Sequence, residues 1–145
     1  MKKPVEIVLS SIHLGEARRV VTLGMDGKDH ADRFLTQLRK HDRNLWDFIR
    51  KRIRAVANHD RYANELTFKH VGEGVFEFKR PGIRLYAFYD EIDGIGHLIL
   101  CTNGGGKGNR KEQNADIQSA KTIRNAYFSA KLLEDTRITL AEPKP

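Results

Sequence analysis

Val75-Phe76-Glu77-Phe78-Lys79-Arg80-Pro81-Gly82-Ile83-Arg84-Leu85-Tyr86-Ala87-Phe88-Tyr89 consists of two β-branched and aromatic runs split by Pro-Gly. That dipeptide favours a tight turn, because proline presets φ and glycine accepts a positive one. The stretch therefore reads as a β-hairpin. Period-two alternation puts Val75, Glu77 and Lys79 on one face of the first strand and Phe76, Phe78 and Arg80 on the other. On the second strand Arg84, Tyr86 and Phe88 share a face. Glu77, Lys79 and Arg84 are then either the solvated face of an antiparallel sheet or the floor of a charged cleft, and periodicity does not choose between the two.

Downstream, Asp93-Gly94 separates the hairpin from Ile95 to Thr102, a run apolar on both faces and therefore read as a central strand. The Gly-rich patch Gly104-Gly105-Gly106-Lys107-Gly108 leads to a helix over roughly 114–133, with Ile117, Ala120, Ile123, Tyr127 and Ala130 facing inward. Upstream, Phe34, Leu35 and Leu38 fall at helical spacing behind Asp29 as N-cap. A second helix begins near Asp42 or Asn44; Leu45, Phe48, Ile49, Ile53 and Val56 form its apolar stripe, and Arg50, Lys51, Arg52 and Arg54 lie largely off it. Those cations are either a solvated outer face or direct contacts to RNA. Val5 to Leu9 and Arg19 to Leu23 are short and β-branched, able to pair as an N-terminal hairpin ended by Gly24-Met25-Asp26-Gly27. With helices before the sheet and one after it, the expected class is α+β: two N-terminal helices packed on a small antiparallel sheet with a C-terminal helix. Residues 1–28 read as an extension, 29–133 as the domain and 134–145 as a polar tail.

The 145 residues suit one core, with 39% apolar and 31% charged residues. A net charge of +7 and a pI near 9.7 favour a polyanionic partner, since neutralising phosphates releases their counterions. The single cysteine, Cys101, lies in an apolar run; intrachain disulfides and thiolate zinc sites are excluded, and a small buried hydrophobe in a reducing cytoplasm is expected. No signal peptide and no apolar run long enough to span a bilayer are seen. Six histidines, at 13, 30, 41, 59, 70 and 97, lack tight metal spacing, and His97 reads as a hydrogen-bonded core histidine. Lys107 is followed by Gly108 where a P-loop needs Ser or Thr, so an NTPase is rejected and no cofactor or metal is expected.

Over roughly residues 29–131 the order of elements resembles the RelE/HigB class of toxin–antitoxin toxins. Phe76-Glu77-Phe78-Lys79 and Ile83-Arg84-Leu85-Tyr86-Ala87-Phe88-Tyr89 are similar to that family's basic strand and its following Tyr-Arg-apolar strand. Gly104-Gly105-Gly106-Lys107-Gly108-Asn109-Arg110-Lys111, with Asp116-Ile117 and Ala120 beyond, resembles its Gly-Phe-x-Lys-Lys loop and acidic-Ile-x-x-Ala helix. Gly105 replaces the usual Phe, Gly108 a common second Lys, Gln113 a common Pro, and Ile83 the Tyr before the arginine. The resemblance implies a metal-independent endoribonuclease cutting mRNA on the ribosome, partnered by an antitoxin such as a helix-turn-helix protein.

In that reaction the ribose 2′-OH attacks the adjacent phosphate. It needs cations on the phosphorane oxygens and groups to move two protons. The resemblance assigns Lys79, Arg84 and Lys107 to catalysis, Arg84 as the guanidinium that grips phosphate and Lys79 as base or acid. Arg110 and Lys111 hold the RNA backbone, and Tyr127 either stacks on a base or donates a proton, or is a core aromatic. Arg84→Ala and Lys79→Ala are each expected to remove toxicity and leave the fold intact. The departures motivate two other readings: a catalytically degenerate module that binds RNA or an antitoxin without cleavage, and a DNA-binding regulator, for which no recognition-helix motif is apparent.

Overall fold

The computed structural model describes residues 4–59, 68–80, 82–106 and 108–142. Chain order is β1 (Glu6–Leu14), β2 (Arg19–Met25), α1 (His30–His41), α2 (Arg43–Asn58), β3 (Phe68–Gly72), β4 (Val75–Arg80), β5 (Ile83–Ile92), β6 (Gly96–Gly105), α3 (Arg110–Lys131) and β7 (Arg137–Ala141). The strands form one seven-stranded sheet in the order β3-β4-β5-β6-β2-β1-β7. β3 to β6 are antiparallel, whereas β2 lies parallel to β6 and β7 parallel to β1.

This corrects the expected architecture. The sheet is neither small nor purely antiparallel, and strands, not helices, begin the chain. The reason lies in β2: Val20 packs with the α1–α2 cluster, while Val21 and Leu23 pack with the α3 cluster. A strand apolar on both faces must be covered on both. β2 therefore sits inside the sheet against β6, and the N-terminal hairpin, which pairs from Ile7↔Met25 to Leu14↔Arg19, becomes half of it. Residues 137–141, within the segment read as a polar tail, add the edge strand β7.

The helices cover opposite faces. α1 and α2 bury Leu35, Ile49, Ile53 and Val56 against Phe78, Leu85, Ala87 and Ile99. α3 buries Tyr127 and Ala130 against Leu9, Val21, Phe88 and Leu100, and Ala120 against Val75 and Tyr86. The helix starts follow local chemistry: Asp29 caps α1 through the Asp32 amide and Asp42 caps α2 through the Leu45 amide. The third helix starts at Arg110, earlier than its apolar pattern suggests, because Asn109 Oδ1 accepts from the Glu112 amide and makes the cap. No helix of the described residues is long and apolar enough to cross a membrane.

The β1–β2 turn is tied to the end of α2. The amides of Ala17 and Arg18 both donate to the Ala57 carbonyl at 3.0 Å. A Cβ on Gly15 would overlap that carbonyl and lie 2.6 Å from the Ala57 side chain. Gly15→Ala should therefore cost about 2 kcal/mol, as overpacking against backbone does. On a chain of this length that lowers Tm by about 6 °C; an unchanged Tm in thermal unfolding would mean the turn is not held there.

Candidate nucleic-acid interface

The turn after β4, the end of β6 and the first turn of α3 meet at one corner of the sheet, because Arg84 at the start of β5 registers with Gly105 at the end of β6. Between them lies an open groove of about 490 Å³, lined by Lys79, Arg80, Arg84, Asn109, Glu112 and Gln113 among others. Residues distant in sequence thus line one concavity, with the Lys79 and Arg84 cations, the Glu112 carboxylate and, at its rim, Arg80.

The close connection of β4 to β5, which pairs Arg80 with Ile83, sets the geometry of the hairpin face. It registers Lys79 with Arg84 and Glu77 with Tyr86, so Glu77 and Arg84 are diagonal neighbours. Arg84 Nη1 donates to both Glu77 oxygens, at 3.3 and 3.2 Å. The Glu77 side chain is 3% exposed and that of Arg84 22%; a carboxylate this deep needs such a partner. Beside the pair, Tyr86 is fully buried, and its hydroxyl has no hydrogen-bond partner among the described residues. Burial first, and the Glu77 charge second, push its phenol up to about 12, so at neutral pH it is an uncommitted proton donor. Lys79, by contrast, is exposed.

Arg80 projects to the opposite face. Its guanidinium lies 4.1 Å from the centre of the Phe48 ring, and that of Arg52 lies 4.6 Å from the same centre. The aromatic ring lets the two cations approach and joins the basic side of α2 to the rim of the groove. Phe48, expected in the apolar stripe of α2, thus serves as a cation platform. Arg50, Lys51 and Arg54 are exposed, with Arg50 3.5 Å from Asp47.

The structure therefore brings Lys79 and Arg84 together and places Arg110 and Lys111, both exposed, in the adjoining first turn of α3. Lys107 lies outside the described residues; its neighbours Gly106 and Gly108 line the groove. Tyr127 does not join the site. It is 0% exposed and packs on Phe88, its ring centre 5.4 Å away, and its hydroxyl donates to Asp90 Oδ2 at 2.5 Å. The helical period that puts Ala120 and Ala130 inward puts Tyr127 there too, which leaves the core reading of this residue. His97 corrects another expectation: its side chain is exposed, 3.7 Å from Glu91 at the start of β6. Cys101 is buried in the core, and that burial pushes its thiol up.

Sequence reasoning missed Arg80, Glu112 and the Glu77 counter-ion. Glu77 was legible as a polar position on the hairpin face, but its burial against Arg84 was not. Arg80 and Glu112 carried no signal, because alternation put the first on the helix-covered face and the start of α3 was placed too late. Comparison with protein-family models, with curated proteins and with solved structures finds no match to this chain.

Proposed function

We propose that this protein binds RNA through the corner groove and acts as a metal-independent endoribonuclease of the RelE/HigB toxin class, in the cytoplasm, on ribosome-associated mRNA and under the control of an antitoxin protein. The observation that supports this reading is the convergence of Lys79, Arg80 and Arg84 with the N-terminal turn of α3 on one open groove, in a chain of net charge +7. A cationic concavity open on one side suits a single strand, whose backbone tracks the charges.

The chemistry follows from the groups available. The ribose 2′-oxygen attacks phosphorus and loses its proton to a base. The P–O5′ bond breaks, and the leaving oxygen takes a proton, giving a 2′,3′-cyclic phosphate and a 5′-hydroxyl. Arg84, always charged, stabilises the phosphorane oxygens. Lys79 and Glu112 both line the groove and are, among the described residues there, groups able to exchange those protons.

A second reading has a specific observation in its favour. The Glu77 carboxylate already occupies part of the Arg84 guanidinium, which weakens its grip on phosphate and suits a module that binds RNA without cutting it. Incubating the purified protein with mRNA, with and without ribosomes, followed by primer extension, decides between them. Discrete cuts support the endoribonuclease, binding without cuts supports the module, and the absence of both rejects the groove. For the binding step, log K against log salt should have a slope of about −2, the value for some three phosphates on a single strand. Lys79→Ala should flatten that slope by about 0.7, the share of one phosphate; an unchanged slope would remove Lys79 from the interface.

A further inference from the structure

A second cavity, of about 720 Å³, lies between α1 and α3. Its position follows from topology. β2 and β6 are parallel neighbours from Arg19↔Leu98 to Thr22↔Cys101; beyond that point β6 stays with β5 and β2 stays with β1. The chain leaves β2 for α1 on one face of the sheet and leaves β6 for α3 on the other. Adjacent parallel strands whose connections depart to opposite faces open a crevice at their carboxyl ends, the preferred ligand position of open sheets with helices on both faces.

The crevice is lined for a specific chemistry. On one wall α1 presents His30, Arg33, Phe34 and Gln37, spaced so that they share a helix face. The floor is Asn103 and Gly104, and Gly104 is required there because a Cβ would overlap the Phe34 ring. The other wall includes Asp116. Its backbone carbonyl accepts from Asn103 Nδ2 at 3.0 Å, but its carboxylate receives no hydrogen bond and no cation among the described residues. Burial and the nearby Glu112 raise its pKa, the mark of a half-buried charge without a partner. An aromatic ring, a cation and a carboxylate without a partner among the described residues therefore line one space of nucleotide size.

We propose that this crevice binds a guanine nucleotide, with the base against Phe34, its N1–H and N2–H₂ donors on the two Asp116 oxygens, and its phosphate on Arg33. Guanine is the base whose Watson–Crick edge offers two adjacent donors to a forked acceptor. Adenine places an acceptor beside its single donor there and would meet the carboxylate with a lone pair. The nucleotide has two possible sources, a free guanine nucleotide or a guanosine of bound RNA. The second source fits the geometry because Asp116 packs against Gly105, between Gly104 in the crevice and Gly106 in the groove. At the rise of a strand these two glycines are about 7 Å apart, within reach of a neighbouring nucleotide. The crevice stands on its own geometry; only the RNA source rests on the proposed function.

The test is titration of the full-length, isotope-labelled protein with GMP and with AMP, followed by amide NMR. GMP should give saturable shifts at Phe34, Gly104 and Ser119 and bind at least about tenfold more tightly than AMP, the discrimination of one bidentate base contact. Asp116→Asn should erase that preference, and Arg33→Ala should weaken both nucleotides alike. Equal affinities for GMP and AMP, or no shifts in the crevice, overturn the inference. A uridine heptamer with one central guanosine, compared with all-uridine RNA, separates the sources. A preference for the guanosine that disappears in Asp116→Asn identifies RNA as the source, and a preference seen with GMP alone identifies the free nucleotide. GMP binding is read without RNA, so the two proposals fail separately. Guanine selectivity without mRNA cuts overturns the endoribonuclease alone; cuts without guanine selectivity overturn the crevice assignment alone.

Discussion

Arg84→Ala should abolish RNA cleavage, lowering its rate by about a thousandfold, the upper range for losing one preorganised transition-state charge donor. It should also destabilise the protein. The reason is Glu77, whose side chain is 3% exposed and whose partner at 3.2 Å is Arg84. Removing one member of a buried pair leaves the other charge desolvated and typically costs about 3–5 kcal/mol. Arg84 is itself 22% exposed, so water relieves part of this, and about 3 kcal/mol is expected.

The simple alanine variant therefore confounds catalysis with folding, contrary to the sequence-based expectation of an intact fold. Glu77→Met with Arg84→Met separates them. Replacing both partners by apolar side chains of similar length removes the desolvation cost along with the attraction, and such replacements are often neutral or stabilising. The double variant should unfold near the wild-type urea midpoint yet cleave no faster than Arg84→Ala. If it cleaves at the wild-type rate, Arg84 takes no part in the reaction. If Arg84→Ala alone keeps the wild-type midpoint, the pair contributes nothing to stability.

Tyr127→Ala should be the more damaging change to stability, at about 4 kcal/mol, the cost of emptying a large aromatic site in a close-packed core. The ring is fully buried between the sheet and α3, with Phe88 and Phe128 at centroid distances of 5.4 and 5.1 Å. Its hydroxyl shares Asp90 Oδ2 with Lys131 Nζ, which lies 2.8 Å from that oxygen. Tyr127→Phe keeps the ring, and Asp90 retains Lys131, so about 1 kcal/mol should be lost, the worth of one hydrogen bond. Neither substitution should change RNA affinity in protein that remains folded. Urea unfolding read beside RNA binding checks both statements: a Tyr127→Phe variant of wild-type stability with weakened RNA binding would restore the nucleic-acid role that the structure removes.

Tyr127 also shows where sequence reading ends. Its position on the inward stripe of α3, with Ala120 and Ala130, was legible from the 3.6-residue period; that it meets Asp90 of β5 depends on how α3 crosses the sheet, which no local pattern encodes. His97 errs in the opposite direction. A histidine beside Leu98-Ile99-Leu100 reads as core, but it is the second residue of β6, next to the turn from β5, and its side chain is exposed. β3 fell outside the apolar patterns altogether, because Lys69 and His70 face solvent and only Phe68 is buried.

What the sequence by itself determined is local. The β4–β5 hairpin and its register came from alternation around a two-residue turn. The helix start at Asp29, and a second one near Asp42 or Asn44, came from side chains that cap their own backbone, and the basic character of the site came from composition. These follow from interactions over a few residues, where propensity and periodicity act directly. The tertiary structure alone decided the insertion of β2 beside β6, the placement of helices on both faces, the burial of Glu77 against Arg84 and the crevice that holds Asp116. Each depends on burying both faces of a strand or on bringing together residues far apart in the chain. Such choices are made by the free energy of the whole core, so no single stretch of sequence records them.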